Sequence, residues 1–120
     1  MFSGCSGDKK NNVTNGSGST PVYSFEGTWK CEMGGIQAFF KFTDSDVIHV
    51  YVGFSVDSWK GTVGYNSTHI NISWTHTAAG NALTESVTWS DSGPSGSMLS
   101  YSFIDEDHID IDGMTFTRIS

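Results

Sequence analysis

From Ser24 onward, hydrophobic and polar residues alternate with a period of two along most of the chain. Residues 70–75 read Ile-Asn-Ile-Ser-Trp-Thr, and residues 99–103 read Leu-Ser-Tyr-Ser-Phe. This alternation is typical of antiparallel strands that turn one face to a core and the other to water. No segment keeps the helical period of about 3.6 residues over more than one turn. The pattern therefore predicts an all-β domain.

Strand spacing and turn signals together predict eight or nine strands joined mostly by short connections. The predicted strands are 27–33, 36–43, 46–54, 57–65, 68–76, 83–90, 97–104, 107–111 and 114–119. Asp112-Gly113 is the strongest hairpin signal, because both residue types tolerate the positive φ of a tight turn. Consecutive hairpins favour an up-and-down antiparallel meander, which hides its edges best by closing into a β-barrel. An open β-sandwich is the alternative.

The predicted barrel interior is rich in aromatic residues. On the third strand, alternation assigns the inward face to Ile48, Val50, Val52 and Phe54. A barrel of about eight strands is filled by its own side chains or holds one small ligand. We therefore expect a largely filled interior with a shallow pocket at one mouth, or none. The candidates for lining such a pocket are Trp59, Tyr65, Trp74, Glu85, Trp89 and Tyr101.

Each of these candidates also has a plainer interpretation. Alternating aromatic residues on strands are commonly core residues, which would leave no pocket for a ligand. Glu85 shares a predicted face with Val87 and Trp89, where it is either a polar anchor at the mouth or a strand-end residue near solvent.

The first 22 residues differ in composition from the rest. Residues 6–21 are mostly small and polar, a composition typical of a disordered, solvated tether. Residues 2–5 read Phe-Ser-Gly-Cys, which resembles the lipobox of prokaryotic lipoproteins, and the resemblance implies that Cys5 is lipidated. The apolar stretch of a signal peptide does not precede it, so the motif is the remnant of a longer precursor or a chance match. We assign 1–22 to this remnant and tether, and 23–120 to the barrel domain.

Composition and motifs narrow the function. The net charge is −7 and the six basic residues are scattered, which argues against nucleic-acid binding. The chain has no catalytic triad order, nucleophile elbow or phosphate-binding glycine loop, so we expect neither an enzyme nor a cofactor. If Cys5 is lipidated, Cys31 is a small buried thiol; otherwise the two cysteines are free to pair.

An acidic stripe near the end of the chain is the remaining candidate for chemistry. Glu106, His108, Asp110 and Asp112 alternate along one predicted strand face. Same-face neighbours on a strand are about 6–7 Å apart, so only adjacent residues could chelate a metal ion. We interpret the stripe as a solvated edge that opposes aggregation, and we predict no metal site.

Both ends of the barrel domain resemble the calycin superfamily, which includes lipocalins, fatty-acid-binding proteins and small lipocalin-like domains of bacterial lipoproteins. Residues 25–30 read Phe-Glu-Gly-Thr-Trp-Lys, and residues 115–119 read Thr-Phe-Thr-Arg-Ile. In that superfamily a Gly-x-Trp begins the first strand, and a basic residue of the last strand stacks on the tryptophan. The resemblance implies a structural pair of Trp29 and Arg118, whose cation–π contact contributes roughly 0.5–2 kcal/mol. The chain lacks room for the helices of the larger relatives, so the small lipoprotein domains fit best.

The two resemblances imply a monomeric, non-enzymatic lipoprotein of the cell envelope, anchored at the outer membrane or cell surface. Its partners would be the membrane, through the lipid on Cys5, and a small apolar or amphipathic ligand at the barrel mouth. The alternative is a plugged barrel that serves as a structural or protein-interaction module of the envelope.

Overall fold

The computed structural model describes residues 23–120, in which eight strands form one closed antiparallel barrel. The strands are β1 (Gly27–Met33), β2 (Ile36–Thr43), β3 (Asp46–Val52), β4 (Val56–Tyr65), β5 (His69–Ala79), β6 (Ser97–Asp105), β7 (His108–Ile111) and β8 (Met114–Arg118). Each strand pairs with the next along the chain, and β8 pairs with β1 to close the barrel. The predicted up-and-down barrel is confirmed. Cys5 and the predicted tether lie outside the described residues.

No helix in the range 23–120 is long and apolar enough to span a membrane.

Two-residue turns fix the register of the hairpins at one end of the barrel. Gly34 and Gly35 have φ values of 57° and 86°, and Asp112 and Gly113 have φ values of 52° and 84°. Positive φ at both central residues is what a type I′ turn requires, and its twist matches that of the flanking strands. The predicted Asp112-Gly113 hairpin is therefore confirmed. We call the end with these two turns the open end and the opposite end the closed end.

The predicted strand at 83–90 is wrong. β5 continues to Ala79, and the chain then runs as a loop over 80–96 that meets the sheet through the single bridge between Thr77 and Ser90. The first part of the loop covers the outside of the barrel, and its end reaches the barrel mouth. The hydroxyl of Ser58, which is fully buried, donates to the carbonyl of Gly80 at 2.7 Å and accepts from the amide of Ala82 at 2.9 Å.

The inward face of β3 is the opposite of the predicted one. Phe42 pairs with Val47 and Phe40 pairs with His49, so these side chains share the inner face. Val50 is buried on the outer face, beside Ser58 and beneath the loop. Ile48 and Val52 share that outer face with Val50, and Phe54 is fully exposed in the turn after β3. Both faces of β3 are apolar because the loop gives its outer face a cover of its own.

Aromatic packing fills the closed end. Phe25 lies just before β1, and its ring stacks on Tyr65 with centroids 4.1 Å apart. The same ring meets Tyr101 at 4.8 Å and Phe103 at 5.0 Å. Close aromatic pairs stabilise beyond the area that they bury, by about 0.5–1.5 kcal/mol each. Phe25 therefore plugs the barrel where β1 begins and β8 ends.

Candidate functional site

Trp29 and Arg118 seal the closed end. Trp29 is fully buried, and the guanidinium carbon of Arg118 lies 4.2 Å from the centroid of its ring system. The indole N–H donates to the carbonyl of Phe25 at 2.8 Å, which ties the plug to the pair. The guanidinium donates to three backbone carbonyls, those of Ser24, Glu26 and Glu106. The stacking expected from the sequence is present, and its role at this end is structural.

The open end holds a cavity of about 510 Å³. It is lined by Cys31, Met33, Ile36, Ala38, Phe40, His49, Tyr51, Trp59, Trp74, Pro94, Ser97, Leu99, Ile111, Asp112, Met114 and Phe116. These residues come from β1 to β8 and from the end of the 80–96 loop, and most of them are apolar. The barrel therefore carries a pocket at one mouth, which is one of the two outcomes expected from the sequence, while aromatic side chains fill the closed end.

Two of the six predicted lining residues, Trp59 and Trp74, reach the cavity. Trp74 lies opposite Gly61 across the β4–β5 pair, and its indole N–H donates to the hydroxyl of Ser97 at 3.0 Å. This bond orients the ring as part of the wall. The indole N–H is thereby committed to the protein.

The other four predicted residues lie elsewhere. Tyr65 and Tyr101 pack against the Phe25 plug at the closed end, and burial is the main reason that the pKa of Tyr65 rises to about 12. Glu85 accepts a hydrogen bond from the amide of Asn81 at 3.0 Å within the loop. Trp89 lies outside the barrel under the ammonium of Lys60, 4.7 Å from its ring centroid. The alternation at 83–90 predicts a strand with Glu85 and Trp89 on its inner face, whereas both residues belong to the loop outside the barrel.

His49 is the functional candidate that the sequence pattern placed on the wrong face. Its ring stacks between Phe40, at a centroid distance of 4.4 Å, and Trp59, at 5.4 Å, with both planes inclined by 24°. Its Nδ1 lies 2.9 Å from the carbonyl oxygen of Phe39. Since a carbonyl only accepts, Nδ1 carries the hydrogen, and Nε2 of the neutral ring is an acceptor. Burial lowers the pKa of His49 below 6.5, against a smaller opposing effect of the Phe39 bond.

A backbone irregularity positions Trp74 in the wall. The β4–β5 register shifts between Lys60 and Gly61, which leaves Thr75 as an extra residue on β5. A β-carbon at Gly61 would lie 2.1 Å from the carbonyl oxygen of Ser73. A bulge re-aims the side chains beside it, and a glycine at such a place admits the neighbouring backbone. Gly61 thus permits the bulge from which the Trp74 side chain enters the cavity.

The charges around the cavity are of one sign. Asp112 lies at the rim in the β7–β8 turn, and His49 is neutral at pH 7 because its pKa is lowered. Within the described part of the chain, no lysine or arginine lines the cavity. The thiol of Cys31 is held protonated, since burial raises its pKa. The cavity therefore has a mostly apolar wall, a half-buried neutral histidine and a carboxylate at its rim.

The acidic stripe has partners of its own. Nδ1 of His108 lies 2.8 Å from a carboxylate oxygen of Asp105, and Thr115 donates to Asp110 at 2.6 Å. Among residues 23–120, no three His, Cys, Asp or Glu side chains are grouped closely enough to hold a metal ion. A second cleft, of about 390 Å³, lies on the outer face of β2 to β5 and is lined largely by polar residues such as Lys41 and Thr62.

Comparison of the chain with protein-family models, with curated proteins and with solved structures gives no match.

Acidification should destabilise the protein through His49. Between its lowered pKa and 6.5 the unfolded chain binds more protons than the folded one, so the free energy of unfolding falls as the pH drops through this window. We expect His49→Phe, which keeps an aromatic ring, to lose this component. Urea unfolding of both proteins at several pH values between about 7.5 and 5 measures it. The same pH dependence in both proteins would contradict a buried neutral His49.

Proposed function

We propose that the protein is a non-enzymatic binding protein that holds a small apolar or amphipathic molecule in the cavity at the open end. The cavity of about 510 Å³ carries this proposal. Ligand pockets are typically about 300–1,000 Å³ and mostly apolar, with a few polar groups that orient the ligand. A barrel acting only as a structural module does not need an apolar pocket at its mouth, and exposed apolar surface of this kind commonly marks a binding site.

A calycin-type architecture is consistent with this function. The up-and-down barrel, the Trp29–Arg118 pair and the plugged closed end give the domain one closed and one open end. Ligand binding in the mouth of a barrel is a common use of this architecture. We infer that the domain is a small lipocalin-like barrel, and the assignment of function to it rests on the cavity and not on the fold alone.

We further infer that the protein is a lipoprotein of the cell envelope, anchored through Cys5. The support is the lipobox-like Phe-Ser-Gly-Cys at residues 2–5 and the polar composition of residues 6–21. Tyr23, where the described domain begins, packs on Phe103 at the closed end with centroids 5.4 Å apart. An anchor at Cys5 would thus join the barrel at the end opposite the cavity mouth.

Ligand binding should be abolished by filling the cavity. Ala38 lines it from β2, and Ala38→Trp places an indole in the space that a ligand would use. The uncharged dye Nile red, which brightens in apolar surroundings, serves as the probe. We expect the wild type to bind it and Ala38→Trp to bind it at least ~10-fold more weakly, a difference of about 1.4 kcal/mol.

The matched control introduces the same residue on the other face of the same strand. Gln37→Trp adds an indole to the outer surface, away from both clefts, and should leave Nile red binding unchanged. Thermal unfolding of all three proteins checks that each is folded. Equal affinity in the wild type and Ala38→Trp would place the binding outside the cavity. No binding by the folded wild type, either of Nile red or of a wider panel of apolar compounds, would overturn the proposed function.

A further inference from the structure

We propose that the cavity selects a planar aromatic ligand that donates one N–H or O–H hydrogen bond to Nε2 of His49. This inference rests on the proposed function, because it names the chemical class that the same cavity would bind. Three observations support this inference: the shape of the cavity walls, the orientation of the His49 imidazole and the charges around the cavity.

The walls nearest His49 are flat. The rings of Phe40 and Trp59 flank the imidazole at 4.4 Å and 5.4 Å, and that of Trp74 lies 6.1 Å away at an angle of 42°. Aromatic rings favour stacked or edge-to-face neighbours, each contributing about 0.5–1.5 kcal/mol beyond area burial. A planar aromatic ligand can pack, stacked or edge-to-face, against the parts of these rings that border the cavity, whereas a flexible alkyl chain gains none of this geometric preference and loses rotamer freedom.

The imidazole of His49 is held in one orientation, which leaves Nε2 as its free hydrogen-bond acceptor. Its Nδ1–H is committed to the carbonyl of Phe39, and the two stacked rings hold its plane. Nε2 is therefore an oriented acceptor in an apolar setting. A ligand that displaces water from the pocket and supplies a donor keeps Nε2 hydrogen-bonded, whereas a ligand without a donor leaves this acceptor unpaired at a cost of about 1–3 kcal/mol. The indole N–H of Trp74 is bound to Ser97 and does not compete for this role.

The charges disfavour an anionic ligand. Seen from His49, β2 contributes Phe40 and the backbone carbonyl of Phe39, and β4 and β5 contribute Trp59 and Trp74, none of which titrates near neutral pH. The titratable side chains that line the same cavity are Cys31, Tyr51 and Asp112. None of these is cationic, and the carboxylate of Asp112 repels another carboxylate at the mouth. A fatty acid would enter without a positive partner for its head group.

A pair of isosteric probes tests the hydrogen bond directly. Indole carries an N–H where benzofuran carries an oxygen, and the two rings are otherwise of nearly the same size and shape. Calorimetric titration of the wild type at pH 7.5 should give an affinity for indole about 3–10-fold higher than for benzofuran, as expected of one net hydrogen bond. In His49→Phe the ratio should fall to about 1, with benzofuran binding retained.

The pH dependence of the preference for indole over benzofuran is a second test, because a purely structural role of His49 would not produce it. Protonation removes the acceptor at Nε2, so the preference for indole should disappear at pH values below the lowered pKa of His49. The affinity for benzofuran should change much less. In wild-type protein with 15N-labelled histidine, indole and not benzofuran should shift the Nε2 resonance of His49, which tests the bond even if His49→Phe fails to fold.

Three outcomes would overturn the inference. The first is equal affinity of the wild type for indole and benzofuran. The second is the same ratio of the two affinities in His49→Phe as in the wild type. The third is tighter binding of dodecanoate than of indole. If Nile red binds in the cavity while any of these is observed, the proposed function stands and the assigned ligand class is wrong. If neither Nile red nor indole nor benzofuran binds, both proposals fail together.

Discussion

Replacing Trp29 by alanine should lower the free energy of unfolding by about 3–5 kcal/mol, the usual range for truncating a large buried aromatic residue. Trp29 is fully buried, supports the guanidinium of Arg118 and holds the Phe25 plug through its indole N–H. Its loss leaves a cavity, removes the cation–π contact and releases the plug. Because small domains are stable by only about 5–15 kcal/mol, we expect a large shift of the urea midpoint.

Trp74→Ala is the matched control, because it removes the same side chain from the opposite end of the barrel. Trp74 is only partly buried and faces a space that is already open, so its truncation creates little new void. We expect a loss below about 2 kcal/mol, part of which is the bond to Ser97. A loss equal to that of Trp29→Ala would show that Trp74 belongs to the core and does not form a cavity wall.

The second large effect should come from a single methyl group on β4. Gly61→Ala places a β-carbon 2.1 Å from the carbonyl oxygen of Ser73, which is backbone and cannot swing aside. Overpacking usually costs about 1–3 kcal/mol, and a clash with a neighbouring strand belongs at or above the top of that range. Since the bulge at this point positions Trp74, binding of Nile red should weaken as well. Urea unfolding and dye titration measure the two effects.

Gly64→Ala provides the comparison on the same strand. A β-carbon at Gly64 meets nothing within 4 Å, and the backbone there is not in the left-handed region. The same substitution should therefore change stability by less than about 0.5 kcal/mol, with dye binding unaltered. Similar losses at the two positions would mean that the loss of glycine itself, and not the contact with Ser73, determines the cost.

The fold was largely predictable because its determinants are local. Period-two alternation and tight turns define seven of the eight strands to within about two residues and the other, β5, to within three. A run of hairpins then leaves few topologies other than a meander. The pairing of Trp29 with Arg118 was predictable as well, because a charged residue on an inward face needs a partner.

The face of β3 was predicted wrongly although a local signal was available. Alternation offers two apolar faces on this strand and does not by itself tell which of them points inward. The two-residue Asp44-Ser45 turn sets Phe42 opposite Val47 and Phe40 opposite His49. Directly opposed residues point to the same side of a sheet, so inward phenylalanines on β2 require an inward histidine on β3.

The loop at 80–96 was not predictable in the same way. Its Val87 and Trp89 alternate with polar residues as a strand would, but they pack on the outside of the barrel. Alternation reports that one side of a segment is buried and does not report which surface covers it. The pattern leaves open whether a pocket exists at the mouth and how large it is for a related reason, because its volume depends on the relative positions of all eight strands.

The two ends of the barrel carry separate tasks, with the plug and the Trp29–Arg118 pair at one end and the cavity at the other. Substitutions around the mouth therefore leave the packing that holds the barrel closed largely untouched. Distant sites usually contribute additively to stability. Residues such as Met33, Tyr51 and Met114 can be varied together in a library while the closed end preserves the fold. The domain is thus suited to directed evolution of new ligand specificities, with selection acting on one rim of the molecule.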